Sequence, residues 1–409
     1  MRGGLALLAL STACGTAVPS AAGGDTSTAT SGNADASTSG GGSSVVETGS
    51  SGTSMGTDEP ACEPDLSRMP ERLGARDVPW TGSHAAGSDR GELYLAGRDD
   101  DDVRVVRVDE TGAELWSATW GNVLGWEDYP NGLLPIDEGV LVTGVSGVYP
   151  SQEYPWTGTS FVRAYSKGGV VLWTWEDSRA SFMDAFGRND GPLVALGADS
   201  VVVAAPVMGT GNTRVGLRLV ALSREDGVER ARVEYDAPSA EPHAAWLDDS
   251  GTAWVAATTA DGSLMLRWDG SSPPSVEASS DEQLFRHAHF YPDGELLVLA
   301  SEWAAGGDWL RLARYSRSLE LEADELVWVE GFGDVDLFDA ALSFGCDGVT
   351  WIAFRRSDAA PVVAVDAALN ELWETPGLGA VAVSNEHVVF AGYDAEREAT
   401  AIWQMEWGE

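Results

Sequence analysis

The stretch ELYLAG (92–97) is followed by VRVVRVD (103–109) and AELWSATW (113–120), with short turns between them. In these runs apolar residues alternate with polar ones, which is the pattern of β-strands that have one buried face. The intervening segments are rich in Asp, Thr and Gly, which favour tight turns. The stretch therefore predicts consecutive antiparallel strands joined by hairpins.

The first of these runs, a short apolar strand that ends in a small residue, recurs along the chain. Its seven copies are ELYLAG (92–97), EGVLVTG (138–144), DSVVVAA (199–205), TAWVAAT (252–258), GELLVLAS (294–301), VTWIAF (349–354) and HVVFAG (387–392). Their ends lie about 40 to 60 residues apart, which is the spacing of propeller blades. No helical periodicity appears between residues 80 and 409. The sequence therefore predicts an all-β fold, a single β-propeller of seven four-stranded blades.

The two ends of the repeat region are complementary. The last unit ends before a fourth strand could form, while the segment ARDVPW (75–80) has no blade of its own. We expect the residues around Asp77–Trp80 to supply the missing strand and close the ring, because closure removes exposed sheet edges.

Charge and aromatic content narrow the range of functions. The 25 basic and 64 acidic residues give a formal net charge of -39, which repels nucleic acid and anionic membrane surfaces. Strand tryptophans are expected to pack between blades rather than to stack on carbohydrate, because aromatic rings contribute much of the core energy. They are Trp116, Trp173, Trp254, Trp328, Trp351, Trp373 and Trp403.

The N-terminal region has a different composition. A short apolar run, GLALLAL (4–10), follows Met1-Arg2 and precedes Cys14. This order is typical of a secretion signal, and its end at a cysteine resembles the lipobox of bacterial lipoproteins, in which that cysteine is lipidated. An ordinary signal peptide cleaved nearby is the alternative. Residues 15–61 are rich in Gly, Ser and Thr, which predicts a disordered tether ahead of a propeller over residues 62–409.

Two further cysteines lie near the predicted closure. Cys62 precedes the closing segment, and Cys346 lies in a turn of the sixth unit. Because blades six and seven are neighbours, a disulfide between the two is one expectation and two free thiols are the other. Two isolated cysteines are too few for a structural zinc site.

Polar residues followed by small ones precede most copies of the repeat, and they are predicted to begin the innermost strands around one mouth of the central channel. These residues are His84, Asn131, Asp184, His243, His287 and Asp339. Such a ring could bind a metal, an anion or a sugar. A polar ring is also expected simply because water fills the channel, so we predict no metal and no cofactor. We assign no catalytic residue, because 64 acidic residues hide any catalytic pair.

Two units carry additional residues, and long insertions on one face are where binding sites tend to lie. Unit three has an extra stretch at 187–198, and unit two has an aromatic insertion at 149–156. Tyr149, Tyr154 and Trp156 of this insertion are predicted to be exposed, and they are the best candidates for a contact surface.

The units share a turn and a Leu-Trp pair in VRVVRVDETGAELW (103–116), SFVRAYSKGGVVLW (160–173) and VVAVDAALNELW (362–373). They resemble the quinoprotein-like (PQQ-like) propeller repeats. Together with its N-terminal region, the chain resembles the exported propeller lipoproteins of myxobacterial-type Gram-negative bacteria. Quinone-dependent dehydrogenases have eight blades and a pair of adjacent cysteines, whereas this sequence has seven units and no such pair.

The resemblance implies export and a lipid anchor in the outer membrane or at the cell surface. Two functions follow as hypotheses. The first is a non-enzymatic binding or scaffold module for a protein or glycan of the cell envelope, attached to the membrane only through its lipid. The alternative is an exported polysaccharide hydrolase or lyase with its site at the channel mouth. We favour the first, because it needs no catalytic constellation.

Overall fold

The chain divides into two units, Met1–Thr57 and Asp58–Glu409, and all residues that the structure describes lie in the second. A computed structural model describes residues 71–72, 81–87, 93–109, 113–121, 127–148, 158–178, 192–209, 213–282, 284–285, 287–302, 309–328, 340–344, 349–354, 362–375, 380–383, 387–394 and 399–406. These residues form strands and turns, as we expected because the sequence shows no helical periodicity. They contain no helix with the length and apolar character needed to cross a membrane.

The described residues form 28 β-strands. The first fourteen are β1 (Glu71–Arg72), β2 (Thr81–Gly87), β3 (Leu93–Asp99), β4 (Asp102–Val108), β5 (Glu114–Trp120), β6 (Glu127–Ile136), β7 (Gly139–Val148), β8 (Thr159–Ser166), β9 (Val171–Asp177), β10 (Leu193–Leu196), β11 (Ser200–Met208), β12 (Arg214–Ser223), β13 (Glu229–Asp236) and β14 (Glu241–Leu247). The others are β15 (Ala253–Thr259), β16 (Gly262–Trp268), β17 (Ser275–Ser280), β18 (His287–Phe290), β19 (Leu296–Glu302), β20 (Trp309–Tyr315), β21 (Leu321–Trp328), β22 (Ala340–Phe344), β23 (Thr350–Phe354), β24 (Val362–Val365), β25 (Glu371–Thr375), β26 (Ala380–Val383), β27 (His387–Asp394) and β28 (Ala399–Glu406).

The strands form four-stranded antiparallel sheets. Six sheets are each built from four consecutive strands, β2–β5, β6–β9, β10–β13, β14–β17, β18–β21 and β22–β25. A further sheet has the order β1-β28-β27-β26 and combines strands from both ends of the repeat region. Six sheets are thus complete blades of consecutive strands, and the last one is composite.

Neighbouring sheets pack face to face through buried apolar clusters. One cluster joins β3 and β4 to β7 and β8, and five others join each following pair of sheets up to β27. Strand β2 contacts β26 and β27, so the composite sheet also meets the first one. In such an arrangement the strands nearest the shared axis are the first strand of each consecutive sheet and β26 of the composite sheet. The predicted single all-β propeller with four-stranded blades is confirmed.

The closing strand lies at a different position from the one that the sequence predicts. Glu71 pairs with Gln404, and Arg72 pairs with Trp403. The residues around Asp77–Trp80, which we expected to pair here, lie outside the described residues. A two-residue strand carries too few side chains to show an alternating pattern, so its position could not be read from periodicity.

Turns between third and fourth strands fasten one blade to the next. The indole N–H of Trp116 in β5 donates to the Lys167 carbonyl at 2.8 Å, in the turn between β8 and β9. Trp173 in β9 donates likewise to the Arg224 carbonyl at 3.0 Å, in the following blade. Packing between blades, the role predicted for strand tryptophans, is confirmed for these two residues.

The contact between the sheet β22–β25 and the composite sheet is also aromatic. Trp351 lies 5.6 Å from Trp373 and 5.7 Å from Phe390, measured between ring centroids, in edge-on arrangements. Trp351 and Phe390 are completely buried. Aromatic pairs in this geometry stabilise a core beyond the effect of their buried area.

Candidate functional site

The candidate site lies at the end of the blades where the innermost strands begin, which we call the mouth end. Glu127 opens β6 and pairs with Val148, the last residue of β7. The connection between β7 and β8, which contains the aromatic insertion, therefore leaves the sheet at the mouth end. The opposite end, which we call the turn end, carries the turns from first to second strands and from third to fourth strands.

Three innermost strands contain a β-bulge at the same level. The extra residues are Ser83 in β2, Asn131 in β6 and His243 in β14, each placed between two paired positions of its neighbouring strand. His84 pairs with Ala96, one position beyond the bulge. His287 opens β18 opposite Leu299. The register therefore puts Asn131 and His243 at equivalent positions, with His84 one residue further along.

The two predicted aspartates of the channel ring lie outside the described residues. Asp184 precedes β10, which begins at Leu193, and its predicted place in the ring stays a prediction. Within the stretch 187–198, which we expected to be an insertion, residues 193–196 form β10, the first strand of its sheet. Asp339 directly precedes β22, which begins at Ala340.

His243 is fixed by packing inside the fold. Its Nε2 is 2.8 Å from the hydroxyl of Thr258 in the neighbouring strand, and its ring centroid lies 6.4 Å from that of Phe285. Thr258 and Phe285 are both buried. This environment favours a packing role for the imidazole over a role in chemistry at the channel. Within the described residues, no group of three or more His, Cys, Asp or Glu side chains is arranged to hold a metal ion.

The aromatic insertion has firmly held stems. Asp128 is completely buried, and its carboxylate accepts a hydrogen bond from the Gly147 amide at 2.7 Å. Gly147 has φ = 68°, a left-handed conformation that glycine adopts without strain. On the other stem, a Cβ atom on Gly158 would lie only 2.5 Å from Val145 Cγ1. Gly147 and Gly158, which flank the segment 149–157, are thus held in place, and Tyr149, Tyr154 and Trp156 lie outside the described residues.

A polar network supports these stems from the neighbouring blade. The guanidinium of Arg98 lies 4.4 Å from the centroid of the Tyr129 ring and 3.8 Å from a carboxylate oxygen of Glu127. The Tyr129 hydroxyl donates a hydrogen bond to Glu127. Burial, followed by this hydrogen bond, raises the pKa of Tyr129 above its ordinary value, so the phenol stays protonated and keeps donating.

Sequence reasoning missed a pair of glutamates at the turn end. Arg314 Nε lies 3.2 Å from a carboxylate oxygen of Glu295 and 3.7 Å from one of Glu322. Partial burial, then the charge of Asp293, raises the pKa of Glu295, and Glu322 adds to this shift while Arg314 opposes it. Arg314 also donates to the Ala367 carbonyl at 2.5 Å in the next blade, so the group joins two blades. No local sequence signal distinguishes these two residues among the other acidic ones.

The predicted lipidation site and the predicted disulfide lie outside the described part of the chain. Cys14, Cys62 and Cys346 all belong to segments that the structure does not describe. Lipidation of Cys14 and the Cys62–Cys346 bridge therefore stay predictions.

No protein-family model matches the chain, and no curated protein matches it. Solved structures do match. Virginiamycin B lyase from Staphylococcus aureus, in an inactive form with quinupristin, has 12% sequence identity and a TM-score of 0.50, covering 82% of this chain and 98% of that chain. The Dos1 propeller has 10% identity and a TM-score of 0.47, covering 83% and 97%. BamB from Moraxella catarrhalis has 11% identity and a TM-score of 0.39, covering 79% and 85%.

These similarities concern the fold. At 12% identity the likeness to the lyase supports the propeller architecture over most of the chain. Propellers carry many unrelated functions, so the activity of a structural neighbour is not transferred with its fold.

Proposed function

We propose that this chain is a non-enzymatic binding or scaffold module, exported and displayed on the cell envelope. In this proposal Cys14 carries the lipid anchor, residues 15–61 form the tether, and the propeller over residues 62–409 contacts a protein or glycan of the envelope. The composite sheet counts as the seventh blade and closes the ring.

The observation that carries the proposal is the firm attachment of the aromatic insertion at its two stems. The buried Asp128 carboxylate fixes Gly147 before the segment, and the tight packing at Gly158 fixes the chain after it. The sequence between them, YPSQEYPWT (149–157), combines aromatic residues with prolines and small polar residues. Tyr and Trp supply large contact areas at a low cost in conformational entropy, which is why they dominate binding hot spots.

A glycan array tests the proposal directly. The parent protein is compared with a variant in which Tyr149, Tyr154 and Trp156 are alanine. We expect the parent to bind a class of glycan that the variant does not bind. In a matched control variant, the exposed apolar residues Leu115, Val170 and Val228 near the turn end are replaced with alanine. This variant should bind as the parent does. Equal binding by all three proteins would contradict the proposed contact surface.

The anchor is tested separately. Metabolic labelling with a fatty-acid analogue should mark the parent protein, and the labelled protein should co-purify with membranes. Cys14→Ala should abolish the label and release the protein from the membrane fraction. A Cys14→Ala variant that is still labelled and still fractionates with membranes would contradict a lipid anchor at this position.

A further inference from the structure

Blade β14–β17 carries a row of large side chains near the turn end. Trp246 in β14 pairs with Trp254 in β15, and Trp254 pairs with Arg267 in β16. Directly opposed residues on antiparallel strands point to the same face of the sheet and touch their neighbours. The row therefore presents two indoles and one guanidinium side by side, close to the turn 248–252.

The next blade adds a second guanidinium to this row. Arg317, in the turn between β20 and β21, lies 5.5 Å from the ring centroid of Trp246 and 5.1 Å from that of Trp254. The guanidinium of Arg267 lies 6.0 Å from the same Trp254 centroid. Each contact is attractive, because the face of an indole ring is electron-rich. Two positive groups are thus held at one ring, where they also repel each other.

Neither of these arginines has a carboxylate partner within the described residues, although the chain contains 64 acidic residues. Both are exposed. Elsewhere on the surface, by contrast, Arg311 pairs with Asp324 at 2.6 Å and Arg232 pairs with Glu229 at 2.5 Å. The two guanidiniums at Trp254 therefore keep their hydrogen-bond donors available for an anion from outside the chain.

The nearby carboxylate of Asp248 is occupied by the turn itself. One oxygen accepts the amide hydrogens of Ser250 and Thr252, at 2.9 Å and 3.0 Å. The other accepts the indole N–H of Trp254 at 3.2 Å. Asp248 thus orients the Trp254 ring.

Trp246 is fixed by the next blade. Its ring stacks on Phe290 with centroids 6.0 Å apart, and a Cβ atom on Gly294 would lie only 2.6 Å from it. Both rings of the row are therefore positioned before any ligand arrives, which lowers the entropy cost of binding.

We propose that Trp246, Trp254, Arg267 and Arg317 form a binding site for an acidic saccharide. Trp246 and Trp254 are half-buried against the apolar cluster between the two blades, which is the packing expected from the sequence for Trp254. The parts of the two indole rings that stay exposed would pack against the apolar face of a sugar ring, and the two guanidiniums would bind its carboxylate or sulfate group through charge-assisted hydrogen bonds. The site goes beyond the function proposed above, because it lies at the turn end and the aromatic insertion lies at the mouth end.

Direct titration of the full chain tests this site. The probes are oligogalacturonate for a carboxylate, sulfated dextran oligosaccharide for a sulfate, and neutral dextran. Measurements at about 0.15 M salt screen the long-range repulsion from the acidic chain. We expect at least one charged probe to bind and the neutral dextran not to bind. The Arg267→Ala/Arg317→Ala variant should bind the charged probe about tenfold more weakly, since it loses charge-assisted hydrogen bonds.

Three control variants show whether the effect is specific to the two arginines. Arg163→Ala removes another arginine that lies over a tryptophan, away from the proposed site: its guanidinium is 4.0 Å from the ring centroid of Trp120. This variant should leave binding unchanged. Arg267→Lys/Arg317→Lys keeps both charges but loses the planar donor fork, and it should bind with intermediate strength even where the alanine variant folds poorly. The Tyr149/Tyr154/Trp156 alanine variant should retain this binding, which separates the two sites. The proposal is overturned if the parent binds neither charged probe, or if the double lysine and double alanine variants bind as the parent does.

Discussion

Single glycines determine how closely the blades can approach each other. Gly227 has φ = 69°, and a Cβ atom there would lie 2.6 Å from Cδ2 of Trp173. Gly227→Ala would combine a left-handed backbone with a clash against the docked indole. We expect a loss of about 3 kcal/mol in the free energy of unfolding, measured by denaturant titration.

Gly251→Ala is the matched control for this substitution. Gly251 has φ = 79°, but no atom lies within 4 Å of its Cβ position. Its substitution should therefore cost only the backbone strain, about 1 kcal/mol. The difference between the two variants measures the contact with Trp173. Equal losses of stability in the two variants would mean that the close approach of the Trp173 indole to Gly227 does not contribute to stability.

Glu295 gives a prediction for the dependence of stability on pH. Because burial raises its pKa in the folded state, the stability it contributes is present below its unfolded pKa and is lost as the pH rises through the folded value. Glu295→Gln removes this ionisation and should gain stability relative to the parent as the pH rises above about 4, the ordinary pKa of a glutamate. Melting temperatures measured from acidic to neutral pH provide the measurement. A variant that loses stability as the pH rises would show that the ion pair with Arg314 dominates instead.

The residues predicted for the channel ring show why the position of a β-bulge could not be predicted from the repeats. Aligning small residues in the repeats placed His84 beside His243, but the bulged residue of β2 is Ser83. A β-bulge inserts one residue without changing the alternation on either side, so the pattern alone cannot locate it. The sequence pattern also cannot predict that Glu295 and Glu322 lie beside the same arginine, because only tertiary packing brings the two glutamates together.

At the scale of strands, the repeat predicted the second, third and fourth strands of most blades well. ELYLAG, VRVVRVD and AELWSATW correspond to β3, β4 and β5 within a residue or two. Strands β3 and β4 contain buried residues, and β5 alternates exposed with half-buried residues, so burial shapes the composition of each strand. Innermost strands such as β10 are short and have weak alternation, so they were located less accurately.

The composite sheet allows a sharp test of closure by β1. Cα atoms of directly opposed residues on antiparallel strands lie about 4.5 or 5.5 Å apart, which suits a disulfide. With the native cysteines replaced by serine, Arg72→Cys and Trp403→Cys should crosslink under mild oxidation and raise the melting temperature. Asp77→Cys with Trp403→Cys tests the position expected from sequence. Faster crosslinking of this second pair would contradict the register of β1 with β28.

For the whole molecule, the structure describes a propeller with two different ends. The mouth end carries the firmly attached aromatic insertion, and the turn end carries the two arginines at Trp254. The fold could be predicted from sequence because a repeated pattern of strands and turns has few alternative architectures. A binding surface could not be predicted from sequence, because it depends on side chains that different blades bring together.

We propose that the mouth end binds an envelope component through its aromatic insertion. A quantitative pull-down from envelope extracts tests it most directly, with the parent, the Tyr149/Tyr154/Trp156 alanine variant and the Arg267→Ala/Arg317→Ala variant as baits. We predict that the parent captures one reproducible component, that the aromatic variant loses it, and that the arginine variant retains it. Capture of the same component in equal amounts by the aromatic variant would contradict binding through the insertion.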